Sequence, residues 1–166
     1  MFKNICLIGL PYSGKSRLGK QISKNTSKDF MEVDNIISNK LNNNLQNIIN
    51  INGCKYFLNK ENEIGKKIEC KNTIISPGGS MIYNRESIDH FKTNLNCKII
   101  HLYLTYPEFI NRIDNFHNRG IINPWNLSLN ELYIERIRLC ENYKDITILA
   151  DDHKKAYSDI LNIINN

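Results

Sequence analysis

The segment from Gly9 to Ser16, GLPYSGKS, has the spacing G-x-x-x-x-G-K-[ST] of a phosphate-binding loop. Its glycines allow backbone N–H groups to turn inward around a phosphate, and its lysine brings a positive charge to the outer phosphates. The last hydroxyl is a suitable Mg²⁺ ligand. An apolar run precedes the motif and an amphipathic segment follows it, as a strand and a helix would. We therefore expect a nucleotide to contact Tyr12, Ser13, Gly14, Lys15, Ser16 and Arg17.

Two acidic residues follow a weaker apolar segment, DFMEV. Glu32 and Asp34 are two positions apart, so that in an extended chain both carboxylates point to the same side. One could assist a metal ion through water, and the other could orient an acceptor hydroxyl. Alternatively, Asp34 is the N-cap of a helix that begins at Asn35, a use that does not exclude the first.

A pair of glycines follows another apolar run in TIISPGGSMI. The turn from Pro77 to Ser80 would lie at the carboxyl end of a buried strand, where open α/β sheets bind ligands. Adjacent glycines permit close approach of the backbone to a substrate, although an ordinary turn uses the same pair. The position of the turn favours a binding site.

Short apolar runs that alternate with helical segments predict an α/β fold with a parallel sheet. The predicted strands are NICLIGL, DFMEV, NTIISP, CKIIHLYL and DITILA. Helical spacing covers residues 16–24, 35–50, 55–70, 85–92, 107–115 and 128–143, and a last helix starts near Asp152. The long segment DNFHNRGIINPWNLS between two helices indicates a lid or an ordinary surface loop.

Size and composition narrow the class of protein. A chain of 166 residues is expected to form one domain. The net charge of +5 suits small anions, and the scattered Lys and Arg residues include no nucleic-acid-binding motif. Five cysteines without a C-x-x-C pair fit a reducing cytosol. No segment has the length of a signal-peptide core or a membrane span, so neither export nor membrane association is expected.

The phosphate loop alone does not name the acceptor, because GTPases, motor ATPases and small-molecule kinases share it. The sequence lacks the N-K-x-D motif of GTPases and is short for a motor ATPase. A compact kinase remains.

Six motifs together resemble shikimate kinases in order, spacing and total length. They are the phosphate loop, FMEVD, FLNKE, PGGS, HNRGII and ERIRLCENYKDITI. The family has F-x-D-x-D, F-R-x-x-E, G-G-G, a lid with R-P-L, and E-R-N-P-x-Y at the corresponding places. The resemblance covers essentially the whole chain. It implies a P-loop NTPase-like three-layer sandwich, in which helices flank a parallel sheet of about five strands. It also implies a substrate-binding helical region at about 35–66 and a lid at about 114–126.

The resemblance also implies an activity and a set of site residues. The expected reaction is phosphorylation of the 3-hydroxyl of shikimate by ATP and Mg²⁺, in the cytoplasm, by a monomer that binds neither nucleic acid nor membranes. The implied catalytic residues are Lys15, Asp34 and Arg119, and the implied metal ligands are Ser16 and Glu32. Beside the phosphate loop, the residues implied for ATP are Arg112, Arg119 and His153. Those implied for shikimate are Asp34, Leu58, Gly78, Gly79, Ser80 and Arg136.

Without the family pattern, Arg112 and Arg136 would be interpreted as surface residues. A planar guanidinium nevertheless suits bidentate binding of a carboxylate, and cations are needed where phosphoryl transfer accumulates negative charge.

Leu58 departs from the family pattern, which has an arginine at this position. In the family, that arginine and the counterpart of Arg136 both bind the carboxylate of the substrate. Losing such a charged hydrogen bond typically costs about 1.5–3 kcal/mol. Lys55 or Lys60 could compensate, or could simply be solvated. The lid proline is also replaced, by Gly120. Two alternatives therefore stay open: a related kinase for another polyol or sugar acid such as gluconate, and a catalytically silent nucleotide-binding module.

Overall fold

The computed structural model of the protein describes residues 2–115 and 121–165, except for the side chain of Asn115. These residues form a parallel five-stranded sheet with the order β2-β3-β1-β4-β5. All five predicted strands are confirmed, the weaker DFMEV segment included. Their bounds are β1 (Asn4–Gly9), β2 (Asp29–Glu32), β3 (Thr73–Ser76), β4 (Cys97–Tyr103) and β5 (Ile146–Leu149).

Helices pack on both faces of the sheet. Alternate residues of β1 belong to two different apolar cores, with Cys6 and Ile8 in one and Ile5 and Leu7 in the other. Both faces of this central strand are covered, which explains why its sequence is an unbroken apolar run. The helices are α1 (Lys15–Lys24), α2 (Val33–Lys40), α3 (Leu45–Gly65), α4 (Arg85–Thr93), α5 (Tyr106–Asn115), α6 (Leu129–Tyr143) and α7 (His153–Asn165), with a 3₁₀ turn at Met81–Tyr83.

The single helix expected over residues 35–50 is wrong. The chain leaves the helical conformation after Lys40, and Asn42 adopts a left-handed conformation with φ of 50°. Asn44 then caps α3, because its side chain accepts a hydrogen bond of 2.8 Å from the backbone N–H of Asn47. Gly53 interrupts α3 with φ of 82° and ψ of 166°. This second break falls in the gap expected between the helices predicted over 35–50 and 55–70. Only the break near Asn42 was missed, because the helical spacing of apolar residues continued across it.

The interpretation of Asp34 as an N-cap is also wrong. Helix α2 begins at Val33, so that Glu32 occupies the cap position and Asp34 lies in the first turn. An acidic side chain there interacts favourably with the positive end of the helix dipole.

The strand order brings the loops that carry the predicted chemistry to one edge of the sheet. β1 pairs with β3, and β3 pairs with β2, in which Glu32 is registered against Ser76. In a parallel sheet the loops after these strands leave from the same edge. The phosphate loop, the Glu32–Asp34 segment and the Pro77–Ser80 turn are therefore neighbours.

None of the helices within residues 2–115 and 121–165 combines the length and hydrophobicity needed to cross a membrane.

Candidate active site

The phosphate loop joins β1 to α1 and is packed closely against the sheet. A Cβ atom on Gly9 would lie 2.6 Å from the carbonyl oxygen of Leu102 and 2.9 Å from Oγ of Ser13. Gly14 immediately precedes α1 with φ of 89°, a conformation that glycine adopts without strain. The two glycines therefore fix the path of the loop, and the N-terminus of α1 offers its backbone N–H groups to an anion.

Lys15 lies at the centre of this loop and is only 8% exposed. Its Nζ donates hydrogen bonds to the carbonyl oxygens of Gly9 at 3.0 Å and Leu10 at 2.8 Å. The cation is thus held beside the N-terminus of α1. A buried lysine in this position is suited to neutralise phosphate charge.

Ser16 and Glu32 form a pair of oxygen ligands next to the loop. Oγ of Ser16 donates a hydrogen bond to Oε1 of Glu32 and lies 3.4 Å from Oγ of Ser76. The other carboxylate oxygen of Glu32 is 3.2 Å from Nζ of Lys20. Hydroxyl and carboxylate oxygens are the ligands that Mg²⁺ prefers, usually together with phosphate oxygens and water. The pair therefore fits the predicted metal site.

The loops border one cleft of about 950 Å³, a volume that suits a nucleotide and a small acceptor. Nearly all the described residues predicted to act in the site line this cleft. They are Tyr12, Gly14, Lys15, Ser16, Arg17, Glu32, Asp34, Gly78, Gly79, Ser80, Arg112, Arg136 and His153.

Three predicted residues are exceptions. Ser13 is a buried residue of the phosphate loop and does not line the cleft. Leu58 is not brought to the cleft either, because the inward position of α3 is taken by the fully buried Phe57 and the next residue of a helix is rotated by about 100°. Arg119 lies outside the described residues, as does part of the predicted lid.

Neither of the two lysines considered as a substitute for the family arginine reaches the cleft. Lys55 is exposed and does not line it. Nζ of Lys60 instead pairs with Glu63 at 2.8 Å on the surface of α3.

Arg136 of α6 is the cation on the acceptor side of the cleft, and at 1% exposure it is not a surface residue. Its Nε donates to the hydroxyl of Tyr83 at 3.2 Å, and its Nη2 donates to the carbonyl oxygen of Ile122. The guanidinium carbon also lies 5.3 Å from the centre of the Tyr83 ring. These contacts fix a buried guanidinium where it could bind an anionic acceptor.

Arg112 of α5 connects the phosphate loop to the segment after β5. It donates to the carbonyl oxygens of Tyr12 at 3.0 Å, Ala150 at 2.8 Å and Asp151 at 3.1 Å, while its Nε donates to Glu108 at 2.6 Å. The residue thus holds two loops that border the nucleotide end of the cleft.

His153 begins α7 at this end of the cleft, with Nε2 at 2.9 Å from Oε1 of Gln21. Partial burial, and then the charges of Arg17 and Arg112, lower the pKa of His153. The lowered pKa favours the neutral form of the imidazole.

Comparison with known proteins decides the family. The shikimate kinase family model matches residues 11–165. A shikimate kinase of Clostridium botulinum is 32% identical over 158 residues, which cover 92% of this chain and 90% of that protein. One of Staphylococcus aureus is also 32% identical, with coverage of 96% and 92%. The chain belongs to the shikimate kinase family.

Solved shikimate kinase structures share the fold. The enzyme of Aquifex aeolicus superposes with a TM-score of 0.79 at 24% identity, covering 98% of this chain and 97% of that one. The Acinetobacter baumannii enzyme in complex with shikimate gives a TM-score of 0.82 at 22% identity, with coverage of 99% and 93%. The predicted P-loop NTPase-like α/β fold is therefore confirmed.

The cleft also has wall residues that no motif singled out, although they lie in the helical region predicted at about 35–66 to bind the substrate. One wall comes from α2, α3 and the turn between them, and its residues are Asn35, Ser38, Asn44, Leu45, Gln46, Ile49 and Phe57. Tyr83 and Ile122, which hold Arg136, were also missed. Their contacts join residues 14 or 53 positions apart, and no local motif encodes them.

A side chain at Gly78 would collide with Asp34, so we expect Gly78→Ala to impair the enzyme. A Cβ atom there would lie 2.5 Å from Oδ1 of Asp34. The carboxylate must move, so kcat should fall by about tenfold or more, because small misplacements of catalytic groups cost rate. Steady-state kinetics test this, and the unfolding midpoint controls for misfolding. A variant with unchanged kcat would show that Asp34 tolerates the displacement.

Proposed function

We propose that this chain transfers the γ-phosphoryl group of ATP to the 3-hydroxyl of shikimate, which yields ADP and shikimate 3-phosphate. The observation that carries this proposal is that one cleft holds the phosphate-loop Lys15 together with Asp34, Gly78 and the buried Arg136. The cleft thus has one end suited to a nucleotide and another suited to an anionic acceptor, and the chain belongs to the shikimate kinase family. The related Acinetobacter baumannii structure, solved with shikimate, supports this acceptor.

At the nucleotide end, the N–H groups of the loop and the N-terminus of α1 bind the phosphates. Lys15 neutralises charge on the transferring group. Arg112 and His153 border the position proposed for the base, and Tyr12, Gly14 and Arg17 line the part of the cleft proposed for the phosphates. Ser13 is buried in the same loop and is proposed to contribute its backbone N–H. Arg119, which is outside the described residues, is proposed to act on the transferring phosphoryl group.

Ser16 and Glu32 are the proposed ligands for Mg²⁺. The described residues contain no cluster of three or more His, Cys, Asp or Glu, so the two protein oxygens would need phosphate oxygens and water to complete the coordination. When bound, Mg²⁺ supplies charge neutralisation on the phosphates of ATP.

At the acceptor end, Arg136 binds the carboxylate of shikimate and Asp34 receives the proton of its 3-hydroxyl. A bond forms between this oxygen and the γ-phosphorus, and the bond from the γ-phosphorus to its bridging oxygen breaks. ADP leaves with that electron pair. Gly78 and Gly79 let the backbone approach the acceptor, and Ser80 follows them in the turn.

The helical region at about 35–66 is proposed as the substrate-binding part of a single domain, and the segment at about 114–126 as its lid. We also propose that the protein acts as a cytoplasmic monomer and requires neither nucleic acid nor a membrane. Gel filtration with light scattering would measure its mass in solution.

The function is tested by ADP release from ATP and Mg²⁺ with shikimate, with gluconate and without an acceptor. Shikimate-dependent ADP release is expected. Release with gluconate alone would indicate a kinase for another hydroxy acid. ATP binding without release for any acceptor would indicate a silent nucleotide-binding module, and either of these results would overturn the proposal.

A Leu58→Arg variant in the same assay tests how the acceptor carboxylate is bound. Leu58 does not line the cleft, so the variant tests whether the longer arginine side chain extends to the acceptor from this position. One added charged hydrogen bond is worth about 1.5–3 kcal/mol, so contact with shikimate would lower its KM by about tenfold or more, and an unchanged KM would show that position 58 does not reach it. Asn59→Arg is the matched control, because it adds the same charge to the exposed neighbouring position of α3. Equal effects of both variants would mean that net charge alone, not a contact with shikimate, changes KM.

A further inference from the structure

Glu61 of α3 is a carboxyl group with no exposed surface that lies behind the cleft wall, in contact with the lining residue Ser80. Its Oε1 accepts a hydrogen bond from Oγ of Ser80 at 2.8 Å, and its Oε2 accepts one from Nδ2 of Asn84 at 2.8 Å. These partners flank the 3₁₀ turn Met81–Tyr83. Glu61 therefore fastens the segment that follows Gly78 and Gly79 to the core of the protein.

The same carboxyl group lies close to Asp34. The position that a Cβ atom of Gly78 would occupy is 2.5 Å from Oδ1 of Asp34 and 3.2 Å from Oε1 of Glu61. The two carboxyl groups therefore lie on either side of the same backbone position, Gly78. Two ionised carboxylates this close would repel each other, and the full burial of Glu61 removes the solvent screening that would weaken the repulsion.

The charges near Glu61 come from two other elements. Asp34 of α2 and Arg136 of α6 both act on it electrostatically. None of the Lys or Arg side chains in the described part of the chain forms an ion pair with Glu61. Burial, followed by the charge of Asp34, raises the pKa of Glu61 to about 8, against the opposing effects of Ser80, Arg136 and Asn84.

We propose that Glu61 is a positioning residue for the acceptor and that it carries a proton when an anionic acceptor binds. This inference rests on the proposed function. An ionised Glu61 would add a second negative charge beside Asp34 and would compete with the acceptor carboxylate for Arg136. In the protonated form Oε1–H would donate to the hydroxyl oxygen of Ser80 while Oε2 still accepts from Asn84. The group would keep its position and leave the positive charge of Arg136 to the acceptor.

Among the described residues, no other group near Glu61 accounts for a pH effect between 7 and 9. Tyr83 contacts Arg136, but burial raises its pKa to about 12. Glu86 of α4, the helix that also packs on α3, is exposed, and its hydrogen bond with Lys66 lowers its pKa. It stays ionised throughout. Ser80 and Asn84 do not titrate.

The test measures kcat and the KM for shikimate from pH 6.5 to 9.5 with saturating ATP. In the wild-type protein, KM should rise above pH 8, approaching about tenfold for each pH unit, as for a single group that must be protonated for binding. Glu61→Gln, which cannot ionise, should remove this rise. Glu63→Gln is the matched control on the exposed side of α3 and should keep the wild-type profile.

Ser80→Ala provides a second variant in case Glu61→Gln does not fold. The hydrogen bond from Ser80 lowers the pKa of Glu61, so its loss should move the rise in KM to higher pH. A wild-type KM that stays flat to pH 9.5 would overturn the inference, as would a Glu61→Gln protein with the wild-type rise. So would a Ser80→Ala profile that does not move upward.

Unfolding measurements separate this inference from the proposed function. Unfolded Glu61 ionises near its ordinary pKa, whereas the folded protein keeps the proton until about pH 8. Between these values the folded state binds more protons, so stability is lost as pH rises. Glu61→Gln should therefore gain stability relative to wild type from pH 5 to 8. If Glu61→Gln gains this stability but the wild-type protein does not turn over shikimate, both the proposed function and the acceptor role of Glu61 are refuted. If the protein turns over shikimate but its KM does not change with pH, only the inference about Glu61 is refuted.

Discussion

Replacing Asp34 with Asn should lower shikimate-dependent ADP formation by about 10²- to 10⁴-fold, the usual contribution of a general base. The amide keeps the size of the side chain beside Gly78 but cannot accept the hydroxyl proton. Binding of ATP should change little, because the phosphate contacts come from the loop between β1 and α1. Single-turnover kinetics and calorimetric titration with a non-hydrolysable ATP analogue measure the two effects separately.

Asp29→Asn is the matched control for this variant. Asp29 lies at the exposed start of β2 and does not line the cleft, so the same change of charge should leave kcat near the wild-type value. Full activity of the Asp34→Asn protein would refute the proposed role of this carboxylate.

Lys15→Met should lower kcat by about 10²- to 10³-fold, the range seen when one group that stabilises transition-state charge is removed. The lysine is 8% exposed and its Nζ contacts the loop carbonyls of Gly9 and Leu10. Methionine has a similar length, so the fold should persist while the cation is lost. Steady-state kinetics and thermal unfolding of the same preparation provide the comparison.

The control for Lys15→Met is Lys24→Met, which removes an exposed lysine from the other end of α1. If Lys15→Met and Lys24→Met lower kcat by the same small factor, the change in net charge explains the loss of activity. A large loss confined to position 15 would assign it to the phosphate loop.

Local patterns were sufficient to predict the sheet and the phosphate loop. β1 is an unbroken apolar run because it is the central strand, and the glycines of the loop have conformations and contacts that favour glycine. The residues around Asp34 were harder to predict. Its place in the first turn of α2 depends on a helix that starts at Val33, two positions earlier than the side-chain pattern indicated.

Contacts between distant segments explain what the sequence did not reveal. The break near Asn42 was not predicted, nor was the orientation of α3, in which Phe57 lines the cleft and Leu58 does not. The partners of Glu61 are 19 and 23 positions away. Such pairs become visible only when the helices have been placed on the sheet.

The contact between Tyr83 and Trp125 gives the acceptor site an intrinsic fluorescence reporter. Trp125 is the only tryptophan of the chain, and its ring lies edge-on to Tyr83 with 4.8 Å between centroids. The hydroxyl of Tyr83 in turn accepts the hydrogen bond from Arg136. The single indole is therefore connected to Arg136, the residue proposed to bind the carboxylate, through Tyr83 alone. Its emission wavelength and quenching can follow acceptor titrations without a label, a coupled enzyme or turnover.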